Sequence, residues 1–147
     1  MKKFLLSVAA IIILSANCIT VHAQENFAVE VLNLVNAERA RVGSPPLRLA
    51  QDLMQCSAIR ARELTVYFSH TRPDGSKWDT ALRNKGRTWG ENIAAGYPSA
   101  AAVVDCWMNS AGHRKNILNP NFRELGVGYF YDANTDYKTF WVQNFRG

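Results

Sequence analysis

Long hydrophobic runs are absent from this sequence. No apolar stretch in its 147 residues reaches the roughly 18 that a membrane-spanning helix needs, so no span is expected. Proline and glycine are sparse, 5 and 9 residues, which excludes collagen-like and low-complexity chains. No heptad run or repeat period appears, which excludes coiled coils and solenoids. Charge of one sign is also missing. Beyond the first 23 residues, which hold Lys2 and Lys3 and no acid, 15 basic residues face 12 acidic ones. That modest, spread balance calls for neither nucleic acid nor an anionic membrane as partner. Familiar catalytic motifs are missing as well. There is no G-x-S-x-G elbow and no H-E-x-x-H helix, and Gly86, Gly90 and Gly96 match no phosphate-binding loop.

What is present begins with an export signal. Lys2-Lys3 is a positive n-region, Phe4 to Leu14 an apolar core, and Val21-His22-Ala23 an A-x-A-like cleavage site before Gln24. Cleavage after Ala23 is expected, leaving residues 24–147 as one secreted or cell-envelope domain. An uncleaved anchor and lipidation at Cys18 are the alternatives; Ser15-Ala16-Asn17 lacks the aliphatic residue usual three positions before a lipidated cysteine. Without Cys18 two cysteines remain, Cys56 and Cys106. An even count in an exported chain suggests a disulfide, which would add roughly 4 kcal/mol by loop closure. Two buried free thiols are the other reading.

Periodicity then organises the domain. Asn26 to Arg41 reads as a helix with Phe27, Val31, Leu34 and Val35 on one stripe, stopped by Gly43 and Pro45-Pro46. Leu49 to about Val66 reads as a second helix lined by Ala50, Met54, Ala58 and Ala61. Pro73-Asp74-Gly75 is a turn, and a short helix is expected near Asp79 to Asn84. Ser99 can cap a helix through Met108, and His113 opens a short turn ending near Asn119-Pro120. Leu125 to Tyr131 and Lys138 to Phe145 are aromatic and β-branched, and the turn-forming stretch 132–136 joins them as a hairpin. Gly126 and Gly128 share one strand face and allow close approach of a helix or a bulky aromatic. Helices first and strands last argue an α+β fold with an antiparallel sheet.

Few residues past the signal can carry chemistry. The two histidines there are His70 and His113, and between them Glu91 sits in Gly90-Glu91-Asn92-Ile93-Ala94-Ala95-Gly96. Two imidazoles and a carboxylate form a plausible set for zinc or another divalent cation with open positions. The same three are the candidate catalytic residues. Structural hydrogen-bonding histidines are the plainer reading, because the three lie about 20 residues apart in no known metal spacing. Glu63, three residues from Arg60, reads first as half of a surface ion pair.

These residues, in order, resemble a family. Leu34-Val35-Asn36-Ala37-Glu38-Arg39; Arg62-Glu63 with Phe68-Ser69-His70-Thr71-Arg72-Pro73-Asp74-Gly75; and Gly90-Glu91-Asn92-Ile93-Ala94 come first. Trp107-Met108-Asn109-Ser110-Ala111-Gly112-His113-Arg114-Lys115-Asn116-Ile117-Leu118, Leu125-Gly126-Val127-Gly128-Tyr129 and Trp141-Val142-Gln143-Asn144-Phe145 complete six collinear blocks. Together they are similar to a bacterial branch of the CAP superfamily, the secreted SCP/TAPS-type domain. The resemblance implies a three-layer α-β-α sandwich with a small antiparallel sheet. It also implies a cleft of two histidines and acidic residues that binds divalent metal in some members. Carried over, these are His70, His113 and Glu91. A second cleft glutamate of the animal and plant pattern falls on Ser110, and Glu63 is the substitute considered.

Members of that family differ more in activity than in fold, so function is argued from the site. The reading preferred is a secreted, non-enzymatic binding module, expected as a monomer, for a small apolar, lipid or peptide-like ligand. A metal-dependent hydrolase using the same cleft is the second reading, with Glu91 as ligand or general base. A structural protein of the cell envelope is the third.

Overall fold

The computed structural model describes residues 26–147; the export signal, its cleavage site and Cys18 lie outside them. The first helix, α1, covers 26–41; of the expected stripe Val31 and Val35 are completely buried and Phe27 and Leu34 partly, while Ala28 joins the buried face. It stops at Gly43, whose φ of +72° suits glycine. The chain continues as β1 (Arg48–Leu49), α2 (Gln51–Val66), a single 3-10 turn (Trp78–Ala81) and β2 (Trp89–Ala95). It then forms α3 (Ala100–Met108), α4 (Ala111–Leu118), β3 (Glu124–Tyr131) and β4 (Thr139–Arg146). Ser99 caps α3 as its side chain allows, accepting from the Ala102 N–H.

The four strands run in the order β1-β3-β4-β2. β4 pairs antiparallel with both β3 and β2, but β1 runs parallel to β3, Arg48 opposite Glu124. The sheet is therefore mixed and not wholly antiparallel. Leu49 belongs to β1 and not to the helix after it, and the helix expected at Asp79 to Asn84 is the 3-10 turn. β2 is a strand with no strand signal of its own; its Gly, Glu and Asn are poor strand formers, and pairing with β4 along its whole length overrides that.

Strand alternation sorts the layers. Phe140 and Val142 of β4, with Ile93 of β2, pack on Ala61 and Leu64 of α2. On the opposite face Trp141, Phe145, Leu125 and Val127 pack against Val31, Val35, Val103, Trp107 and Ile117. One helix covers one face and three cover the other, the expected three-layer sandwich. α2 lies tight against the sheet because Gly126 and Gly128 face it; a Cβ there would meet the Leu53 and Ser57 backbone at 2.3 and 2.0 Å. Arg39, fully buried, ties the layers of the thicker side. Its guanidinium donates to the carbonyls of Pro45, Ile117, Asn119 and Phe122 at 2.7 to 3.1 Å, gathering the C-terminal end of α4.

The expected Cys56–Cys106 disulfide is not formed. Cys56 and Cys106 are both free thiols. Cys56, on α2, packs with Leu53 and Leu82, while Cys106 sits on α3, across the sheet. The sheet itself keeps them apart.

Candidate functional site: a buried ion-pair network beside an aromatic pocket

Glu91 lies near the middle of β2, opposite Asn144 of β4, so both side chains point toward α2. Arg60 of α2 answers it. Arg60 Nε donates to Glu91 Oε2 at 2.9 Å and a terminal nitrogen to Oε1 at 3.2 Å. Both side chains are 0% exposed. Arg60 also donates to Glu63 at 2.7 Å and to the Ser69 carbonyl at 2.7 Å. Glu63 in turn accepts from Arg72 at 2.6 Å. Burial pulls the Arg60 pKa down, but the hydrogen bonds and charges of Glu91 and Glu63 outweigh it and leave it raised. Burial pushes Glu63 up, and the hydrogen bonds and charges of Arg72 and Arg60 more than reverse that. Behind Glu91, Asn144 donates to Oε2 at 3.4 Å and accepts from the Ser57 hydroxyl at 2.7 Å.

His70 stands where α2 has given way to a tight loop. Its carbonyl accepts from Trp78 N–H, and Thr71 bridges Lys77 around the Pro73–Gly75 turn. Its ring Nδ1 lies 2.9 Å from Glu91 Oε1, and the side chain is 52% exposed. His113, in the first turn of α4, approaches from the other face. Asn92 of β2 donates to its carbonyl and to Gln143, and Asn116 donates to Asn92, so an amide chain pins α4 to β2. The His113 ring is half-buried and its Nδ1 is buried without a partner. Burial, then the nearby charge of His70, lowers its pKa, so it is neutral at pH 7.

The structure thus brings Glu91 and His70 together and sets His113 within electrostatic reach of His70. Glu63 is spent on two arginines. Ser110 is the N-cap residue of α4, with no side-chain cap bond. Among the described residues no group of three or more His, Cys, Asp or Glu side chains could hold a metal ion. The reason is chemical. A carboxylate offers about four acceptor positions, and those of Glu91 are filled by Arg60 twice, by His70 and by Asn144. The set His70, His113 and Glu91 does not fit a three-ligand metal centre.

A pocket of about 230 Å³ opens at the edge of the sheet along β2. Ile93, Ala94 and Ala95 form its floor, and Phe68, Tyr97, Cys106 and Tyr137 its walls. Tyr137 is held by an uncommon turn. Lys138 has φ +62°, and Thr139 N–H donates to the Tyr137 carbonyl at 2.7 Å, a three-residue γ-turn of the rarer kind. The Tyr137 ring lies 6.4 Å from Phe68 and 6.5 Å from Phe140. Both Phe68 and Tyr137 are exposed.

A family model for CAP, the cysteine-rich secretory protein family, matches residues 32–145, from α1 through β4. The chain belongs to the CAP family. The Bacillus subtilis (strain 168) protein YkwD is 40% identical over 124 residues, covering 80% of this chain and 46% of YkwD. A crystal structure of an extracellular SCP-domain protein from Bacillus anthracis str. Ames matches with a TM-score of 0.73 at 32% identity, over 84% of this chain and 41% of that one. NaASP2, solved with Zn2+, matches at TM-score 0.57 and 13% identity, over 79% and 76% of the two chains, a likeness of fold alone. The chain spans less than half the length of the Bacillus relatives. No described helix is long and apolar enough to cross a membrane.

Sequence reading missed Arg60, Asn144 and the amide chain Asn92, Gln143 and Asn116 as parts of this CAP cleft. The signal was present for Arg60. It falls on the same helix stripe as Leu53 and Leu64, at spacings of seven and four, where a charge must find a partner. Gln143-Asn144 in the middle of an otherwise apolar strand carried a similar warning.

Proposed function

We propose that this CAP domain is an extracellular, non-enzymatic binding module that takes one apolar or peptide-like group in the pocket beside β2. The observation that carries the reading is the pocket itself, three aromatic rings around an apolar floor at an open sheet edge. Its volume sets the ligand size. A cavity of roughly 150 Å³ holds benzene, and sites for drug-sized molecules start near roughly 300 Å³. About 230 Å³ suits a single ring or a branched aliphatic side chain, and is small for a sterol or a whole acyl chain. Export is supported by the N-terminal signal pattern and by the extracellular Bacillus anthracis relative.

The hydrolase reading loses support from the same geometry. A general base must hold a lone pair free for a proton, and Glu91 is enclosed and occupied. The test is titration of the purified protein with N-acetyl-tyrosinamide, followed by amide NMR. Shifts confined to the neighbourhood of residues 68, 93–97, 106 and 137 are expected, and Tyr137→Ala should weaken binding about tenfold, roughly 1.4 kcal/mol. Saturating probe with no shift at these residues, or equal binding by Tyr137→Ala, would refute the reading.

A further inference from the structure

The expected metal ligands and the observed contacts disagree, and the disagreement centres on one side chain. Arg60 spends four N–H contacts on Glu91, Glu63 and the Ser69 carbonyl. Its planar fork grips Glu91 through two nitrogens, a geometry an ammonium cannot reproduce. The four fixed charges also close on themselves. Arg60 and Arg72 are matched by Glu63 and Glu91, with all three ion pairs between 2.6 and 2.9 Å. A divalent ion brought to Glu91 would have to displace a fully buried guanidinium or lie against it, and either is costly.

We propose that Arg60 is the resident cation of this cleft, a fixed guanidinium doing for Glu91 and Glu63 what a bound metal would do, so that Glu91 positions His70 and ligates no ion. Both Glu91 oxygens already accept from Arg60, so toward His70 the carboxylate is an acceptor again and the ring Nδ1 carries the proton. That fixes the tautomer of the neutral ring as Nδ1–H. Glu91 therefore acts through His70, as a positioning residue. The anchoring elements are a helix and a paired strand, with Asn144 and Ser57 bracing the far side. The inference stands apart from the aromatic pocket, whose tests involve none of these groups.

The experiment has three readouts on the purified protein. Ring-nitrogen NMR should show His70 as the Nδ1–H tautomer at neutral pH, unchanged by EDTA. Zinc addition should leave the Glu91 carboxyl-carbon signal in place. Calorimetric zinc titration of Arg60→Met should show affinity gained at least tenfold over wild type, through the freed Glu91, Glu63 and His70, and the gain should vanish in Arg60→Met/Glu91→Gln. A zinc-induced shift of the Glu91 carboxyl in wild type overturns the proposal, as does a His70 tautomer that EDTA switches. So does a folded Arg60→Met that binds zinc no better than wild type. If Arg60→Met fails to fold, the two wild-type NMR readouts decide.

Discussion

Replacing Gly128 with alanine tests how α2 is seated on the sheet. A Cβ at that position would lie 2.0 Å from the Ser57 carbonyl oxygen and 2.4 Å from its carbon. Ordinary contact starts at 3.4 Å, so α2 or β3 must yield by about 1.4 Å. The obstacle is backbone within a helix and cannot rotate away. Overpacking of this kind costs about 1–3 kcal/mol, and backbone against backbone belongs at the upper end. For a domain of this size that is a fall in Tm of roughly 8–12 °C. The shift also reaches the cleft, since Arg60 is one turn further along α2 and its bonds to Glu91 tolerate little stretch. Urea unfolding gives the free energy, and the His70 ring signals report the cleft. Gly126→Ala presses the same helix, meeting the Leu53 carbonyl at 2.3 Å. The double variant should therefore lose clearly less than the sum, because one outward movement of α2 relieves both clashes. A loss under about 0.5 kcal/mol for Gly128→Ala, with the His70 signals in place, would refute the account of close seating.

Arg39→Met should destabilise by about 3 kcal/mol or more, since four carbonyls lose their donor, and Arg39→Lys should rescue only a minor part because one ammonium cannot span them. Chemical denaturation of both variants measures this. Native-state alkylation should label Cys106 and spare Cys56, whose thiol burial pushes up to about 12, and a reductant should leave the Tm unchanged. Peptide mapping after labelling reads the first part. His113, neutral in the fold with its pKa lowered, is protonated more readily when unfolded. Its share of stability is thus intact above the unfolded value near pH 6.5 and is lost as pH falls through the folded one. The Tm of wild type should decline over that window more steeply than that of His113→Gln.

Elements with a strong period were legible. The α1 stripe, the capped α3 and the closing hairpin follow from spacing, capping chemistry and β-branched content. The role of Gly126 and Gly128 was legible too, because paired small residues on one strand face signal a close neighbour. β2 was not, since its strand state depends on partners in residues 139–146 and not on its own propensities. β1, two residues long, has no period to detect. At the site, the Arg60–Glu63 pair was legible from its spacing of three, and the partner of Glu91 was not. Which charge answers Glu91 depends on α2 crossing β2, and Arg60 lies 31 positions earlier in the chain. The cysteines misled because an even count carries no information about which side of a sheet each occupies.

The strand order has a consequence for how this chain folds. β1 pairs only with β3, and β2 only with β4. Among the described residues, therefore, no two strands made before residue 124 pair with each other. As the chain emerges N-terminus first, residues 26–123 can form helices but no sheet, and the faces of those helices have no sheet to close on. Collapse waits for the β3–β4 hairpin, which then recruits β1 and β2 across 76 and about 50 residues. Such non-local pairing is slow relative to helix formation. Until then the helix faces stay uncovered, and the whole domain gains its tertiary structure in one late step.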